Sequence, residues 1–326
     1  MTDTKINAAS ALAEKLYKSL EQVIKGRDET LKLIITAIIA DGHVLLEDYP
    51  GSGKTTLCKT LGRLITSDLE EENNNISSFR RIQFTPDLLP GDVLGVTVFE
   101  PKEGTFKFIK GPVFSHIVLA DEINRTGPKV QAAFLECMAE KQVTVDNVTY
   151  PLDDLFFVIG TQNPLDIAGT YPLPIVQLDR FMFKIPMPYV SKEIEIEILE
   201  NSNEIQKNSI SIEPVCKRSE ILEARKLAQT VSVSSKIREG IVHMIQTTRT
   251  HPAIQYGAST RAAIMLQNGV KAWALLSGRD FVIEDDVKAL ARFVIEHRIK
   301  IRGSTGDLKE IVQEIINSGV EKILSK

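Results

Sequence analysis

Residues 45–56 read LLEDYPGSGKTT. Two apolar residues run into a Pro-Gly turn, a second glycine follows, and Lys54, Thr55 and Thr56 open a predicted helix. The end of the stretch is that of a P-loop, G-x-x-x-x-G-K-[ST]. Its residue types have a physical reason. Glycines let the backbone wrap close to phosphates, amide N–H groups face the anion, and a helix N-terminus adds a favourable field. In this reading Pro50, Gly51, Ser52, Gly53 and Thr56 cradle the phosphates of a nucleotide. Lys54 reaches the β- and γ-phosphates, and the Thr55 hydroxyl sits on Mg²⁺. One position departs from the pattern: its first glycine is Asp48. A carboxylate there is harmless if it points away from the phosphates and repulsive if it points in.

Working outward, 43–46 reads as a short strand and 54–65 as a helix, the strand–turn–helix context the motif requires. Downstream, the apolar run HIVLA at 116–120 ends in Asp121-Glu122. In a P-loop enzyme such a strand end supplies a carboxylate on the metal side, Asp121, and a second one, Glu122, to orient and polarise the attacking water. A solvent-facing acidic strand end is the alternative, and the upstream P-loop weighs against it. Asn163 follows the next apolar strand, 155–161, where an amide reaches both a lytic water and a γ-phosphate; Asn before Pro is also a turn signal. Arg261 lies in GASTRA, where Ser259 is a candidate helix cap. An arginine in a first helical turn opposes the helix dipole, a cost that a facing phosphate would offset. Arg180, in QLDRF, either pairs with Asp179 or another acid, or reaches the γ-phosphate of a neighbouring subunit.

The bulk numbers narrow the class. At 326 residues the chain suggests about two domains. A net charge of −4 and a pI near 5.9 provide no global basic field for nucleic acid or an anionic membrane. Cys58, Cys137 and Cys216 are far apart, so neither a disulfide framework nor a zinc site is expected, and free thiols suit a reducing cytosol. The N-terminus lacks a basic-then-apolar leader pattern, and no apolar run approaches the ~20 residues of a membrane span. A cytoplasmic protein is the expectation.

In order, an amphipathic helix over 8–24 is followed by a second, largely apolar helix over 29–40, capped by Asp28. Residues 67–78 are polar and acidic and read as an exposed loop. A strand over 79–84, a hairpin over 97–109 and a helix through Glu140 come next. A second hairpin over 143–150 turns at Asp146-Asn147, and a last strand, 184–188, carries two prolines that suggest a sheet edge. From 191 onward helical periodicity takes over: 191–206, 218–230, 234–248, 260–276, 284–298 and 307–324. The expected architecture is therefore α/β, a parallel sheet with flanking helices over 1–190, followed by a smaller all-α lid over 191–326.

The ordered set GSGKTT, FTPDLLPGD, HIVLADEINRTGPKVQAAFLECMAE, VIGTQNP, YPLPIVQLDRF and GASTRA strongly resembles the MoxR family of AAA+ ATPases, in the helix-2-insert branch that includes magnesium-chelatase motors. The resemblance implies that Lys54 and Thr55 are Walker A, Asp121 and Glu122 Walker B, Asn163 sensor 1, Arg180 a trans-acting arginine finger and Arg261 the sensor-2 arginine. It also implies that Val23, Ile24 and Gly26 lie against adenine, and that the two hairpins are the helix-2 insert and the pre-sensor hairpin. ATP and Mg²⁺ are the implied cofactors. A hexameric ring of this chain is implied too, with a client protein of the kind that carries a von Willebrand A-type domain and that the ring matures or loads with a metal cofactor.

A DNA-associated motor is the alternative, because related branches translocate DNA and the first hairpin carries Lys102, Lys107 and Lys110. The acidic balance and the lack of Lys/Arg clustered with aromatics disfavour it. No N-K-x-D segment follows the core strands, which disfavours a GTPase. A small-molecule kinase would not need Glu122, Asn163 and Arg180 in this order.

Overall fold

The computed structural model describes residues 3–49, 51–68, 76–163, 169–303 and 307–325. Among them, five parallel strands form the central sheet. They are β1 (Val44–Asp48), β2 (Ser77–Gln83), β5 (Ser115–Asp121), β8 (Phe157–Gln162) and β9 (Phe183–Met187), in the order β9-β1-β8-β5-β2. β9 is indeed an edge strand; of the two prolines that suggested it, Pro186 lies in the strand and Pro188 just after it. β2 begins two residues earlier than expected, inside the predicted acidic loop, of which residues 69–75 lie outside the described residues.

All seven residues of β5 are buried, because helices cover both faces of the sheet. The alternation of side chains divides the core in two. Val44, Leu46, Ile117, Leu119, Phe157 and Ile159 point to one cluster, where α1 (Asp3–Glu21), α2 (Asp28–Ile39) and α3 (Lys54–Arg63) pack. Leu45, Val118, Ala120 and Val158 point to the other, against α4 (Pro128–Glu140). α2 begins one residue earlier than expected, with Arg27 rather than Asp28 at its N-cap.

Two antiparallel hairpins stand off the second face: β3 (Gly95–Glu100) with β4 (Thr105–Lys110), and β6 (Gln142–Val145) with β7 (Val148–Pro151). The second turns at Asp146 and Asn147, both left-handed, as a tight two-residue turn demands. A hairpin alone is marginal in water. These two support each other through Phe108 and Tyr150, stacked at 4.1 Å.

After Met187 the chain is mainly helical, with α7 (Arg218–Gln229), α8 (Ser235–Thr250), α9 (Thr260–Leu276), α10 (Glu284–Ile295) and α11 (Leu308–Leu324). The helix expected over 191–206 is instead two: α5 (Lys192–Glu200) and α6 (Ser202–Ser211). Asn201 ends the first by turning its side-chain amide onto the Glu197 carbonyl at 2.9 Å. Such back-bonding competes with helix continuation, and neither helix has a buried face to enforce it. Residues 296–298 form a 3-10 turn rather than the end of α10.

Candidate functional site

The P-loop bridges β1 and α3, as the motif predicts. Gly51 and Gly53 hold φ of +85° and +87°, a region that costs an L side chain about 1–2 kcal/mol. Asp48 is the last residue of β1, its backbone paired with Met187. The first position of the pattern therefore falls in a strand, where no positive φ is needed and glycine has no advantage. Thr55 and Thr56 lie in the first turn of α3; Pro50 lies outside the described residues.

The strand tips converge on α3. Asp121, 1% exposed, ends β5 with Oδ1 3.1 Å from the Lys54 ammonium. The same oxygen accepts from the Thr161 hydroxyl at 2.8 Å, and Oδ2 accepts from Arg81 Nε at 3.0 Å and Nη2 at 2.6 Å. Burial alone would push this carboxyl up; the Arg81 and Thr161 hydrogen bonds and the Lys54 charge outweigh it and hold the group below the usual carboxylate range. Asp121 is therefore ionised at neutral pH.

Glu122 has φ +57° and ψ +50°, left-handed for a residue with no glycine-like freedom. Such a conformation persists only where the surroundings fix it, and it concentrates at functional sites. Here the Glu122 amide donates to Thr161 Oγ1 at 2.9 Å, and its Oε2 accepts from Gln83 at 2.8 Å with Arg125 Nε at 3.3 Å. The buried Thr161 hydroxyl thus accepts from one acid's backbone while donating to the other's side chain. Thr161→Val keeps the shape and removes both bonds, so folding stability is expected to fall by about 1–3 kcal/mol in urea unfolding.

Asn163 follows directly after β8, half-buried, at the same end of the sheet as Asp121. Val23 and Ile24 line a cavity of about 290 Å³ with Gly51, Gly53, Thr56 and Tyr189. Gly26 sits beside it in the left-handed region (φ +66°), where an added Cβ would lie 2.8 Å from Ile194 on α5. Its place is the close contact between the loop after α1 and the start of the helical region.

The two arginines stand apart from the Asp121–Lys54 cluster. Arg180 is half-buried and donates to the Leu135 carbonyl. Asp179 is engaged elsewhere: Arg298 Nε donates to its Oδ1 at 2.7 Å, and Arg261 Nη1 is 4.0 Å from its Oδ2. Arg261 lies in the first turn of α9 and its side chain is half exposed. Ser259 occupies the N-cap of α9 without capping it; its hydroxyl donates to Asp179 at 3.0 Å instead.

Sequence reasoning missed Arg81, Gln83, Thr161 and Arg298. β2 carries a signal in retrospect: FRRIQF places Arg81 and Gln83 two apart, hence on one side of the strand. Nothing local marks Thr161 or Arg298.

A P-loop leading into a helix, an acid at the tip of a neighbouring parallel strand and a helical region beyond the sheet together define an AAA-type nucleotide-binding module with its lid. Comparison with known proteins agrees. Residues 43–183 match the ATPase family associated with various cellular activities (AAA), and residues 246–316 match the AAA lid domain. The chain is 42% identical to protein YeaC of Bacillus subtilis over 94% of each chain. It is 33% identical to the chaperone MoxR1 of Mycobacterium tuberculosis, over 88% of this chain and 75% of that one. A crystal structure of a candidate ATPase from Cytophaga hutchinsonii superposes with a TM-score of 0.86 at 36% identity, covering 97% of this chain and 96% of that one. The chain belongs to the MoxR family of AAA+ ATPases.

Proposed function

We propose that the chain is an Mg²⁺-ATP hydrolase that works at subunit interfaces of a homo-oligomeric ring, six-membered in the family's manner, and remodels a client protein. The observation that carries the reading is the Lys54–Asp121 pair, 3.1 Å apart, where the P-loop helix meets the buried acid of β5. Among the described residues no cluster of three or more potential metal-ligating acids, histidines or cysteines exists. The donors available are the Thr55 hydroxyl and one ionised carboxylate, which suits Mg²⁺: that ion takes one or two carboxylates and completes its shell with water and substrate phosphates. When bound, it would neutralise phosphate charge as the γ-phosphoryl group leaves.

The chain's own residues take these roles. Gly51, Ser52, Gly53 and Thr56 face the phosphates with backbone N–H groups at the start of α3, and Lys54 turns from Asp121 to the β- and γ-phosphates. Val23 and Ile24 offer an apolar wall for adenine. Glu122 accepts a proton from water and aims it at the γ-phosphate, and Asn163 fixes that water or the phosphate. Arg261 and the neighbouring subunit's Arg180 supply charge in the transition state.

The two hairpins and the lid are the parts placed to carry nucleotide state to a client. The MoxR1 name, chaperone, supports a protein client. A partner with a von Willebrand A-type domain and a metal-loading step remain the most specific form of this proposal. Among the described residues no helix is long and apolar enough to cross a membrane.

Lys54→Ala is expected to weaken binding of a fluorescent ATP analogue at least about 10²-fold, because a charge-assisted contact to phosphate is lost. Unchanged affinity would sink the site assignment.

A further inference from the structure

Arg298 ends the 3-10 turn Glu296–Arg298 in the lid and is 2% exposed. Besides its bond to Asp179 Oδ1, its guanidinium donates to the carbonyls of Asp179 at 3.1 Å, of Met182 at 3.2 Å and of Phe181. These acceptors lie on both sides of Arg180. The neighbouring His297 ring adds Nε2 at 3.1 Å from the Phe181 carbonyl. The other oxygen of Asp179 serves Ser259 and faces Arg261. One buried lid guanidinium therefore grips the backbone around Arg180 and fixes the carboxylate beside Arg261.

Packing alone does not call for an arginine here. A buried charge is costly unless it is paired and hydrogen-bonded, and an apolar side chain would fill the same volume. Burial draws the Arg298 pKa down to about 10, with the Asp179 hydrogen bond and charge opposing it, so the group remains a cation at neutral pH. A planar fork with five donors is what suits several acceptors in fixed directions.

We propose that Arg298 is a positioning residue for ATP hydrolysis: it fastens the lid to residues 179–182, so that the lid's orientation sets where Arg180 and Arg261 stand. This rests on the reading of Arg180 as a group donated to a neighbouring subunit, and names the element that aims it. It also explains how Arg261 can leave Asp179 for a phosphate. At 4.0 Å that contact is loose, and Arg298 keeps Asp179 neutralised after Arg261 departs.

The test uses mixed assemblies of the full chain. Glu122→Gln subunits, which lack the water-polarising carboxylate and still present Arg180, are mixed with Arg180→Ala subunits, and recovered ATP hydrolysis is measured. The same mixture is then made with Glu122→Gln subunits that also carry Arg298→Gln. The expected result is a loss of recovered turnover of about 10²-fold, the scale of a 1 Å misplacement, with fluorescent-ATP affinity of the Arg298→Gln chain within about threefold of the parent. Recovery equal to that of the parent mixture overturns the proposal. Hydrogen exchange gives a readout independent of catalysis: amides of 178–182 should exchange faster in Arg298→Gln while β1 and β8 keep their protection. Unchanged exchange at 178–182 overturns it as well. If the parent mixture recovers nothing, the interface reading of Arg180 fails on its own, and the exchange result alone decides the role of Arg298. Arg298→Lys, which keeps a cation beside Asp179 and removes the planar fork that holds the carbonyls of 179, 181 and 182, is the second variant should Arg298→Gln not fold, with the same two expected results.

Discussion

Replacing Arg180 with alanine is expected to lower ATP turnover by about 10³–10⁵-fold while leaving ATP binding nearly unchanged, the effect measured for other arginines that reach a phosphoryl group across an interface. The expectation rests on placement. Arg180 does not join the Lys54–Asp121–Arg81 cluster of its own subunit; it sits in the turn just before Phe181, with its guanidinium resting on the Leu135 carbonyl. Losing that one hydrogen bond costs only about 0.5–1.5 kcal/mol of stability, so the variant should fold. A group that acts across an interface can be supplied by another subunit, and mixing Arg180→Ala with Glu122→Gln subunits should restore part of the activity. No recovery at any ratio, with mixed assembly shown by native mass spectrometry, would rule out action in trans.

Glu122→Gln is expected to bind ATP as the parent does and to turn it over about 10²–10⁴-fold more slowly, the usual contribution of a positioned general base. Glutamine preserves size, and its carbonyl oxygen can still accept from the Gln83 amide, as the carboxylate does at 2.8 Å. The left-handed backbone at Glu122 is fixed by the Thr161 hydroxyl, which the substitution does not touch. What disappears is the capacity to accept a proton from water. Asp121 and Lys54, the groups read as handling metal and phosphate, are unaffected, so binding and chemistry should separate cleanly in fluorescent-ATP titration and single-turnover kinetics. Parent-like turnover would remove Glu122 from the mechanism. The ATP-held form of this variant is also the reagent with which to recover the client.

The hydrogen bond from Gln83 to Glu122 and those from Arg81 to Asp121 come from one strand, β2, two residues apart. In the proposed mechanism, metal and nucleotide compete with Arg81 for Asp121, and catalysis frees Glu122 from Gln83. That exchange would draw on the binding energy of the nucleotide.

The sequence by itself determined the sheet, the P-loop and the two acids. Each is a local pattern: an apolar run ending in Asp-Glu reads as a buried strand and its tip, and a glycine-rich turn before Lys-Thr-Thr reads as a strand-to-helix connection. Backbone geometry and solvent exposure act over a few residues, so a few residues suffice to recognise them. The tertiary structure alone decided that Asp48 belongs to a strand, that Asp179 serves the lid's arginines rather than Arg180, and that Thr161 joins the two acids. It alone decided that Arg298 is buried. In the segment EHRIK an arginine reads as a solvated helix end, and only the return of the lid against 179–182 turns it into a buried cation. The physical reason is range: hydrogen bonds and ion pairs are made within about 3–4 Å, and their partners here lie tens to more than a hundred residues apart in the chain.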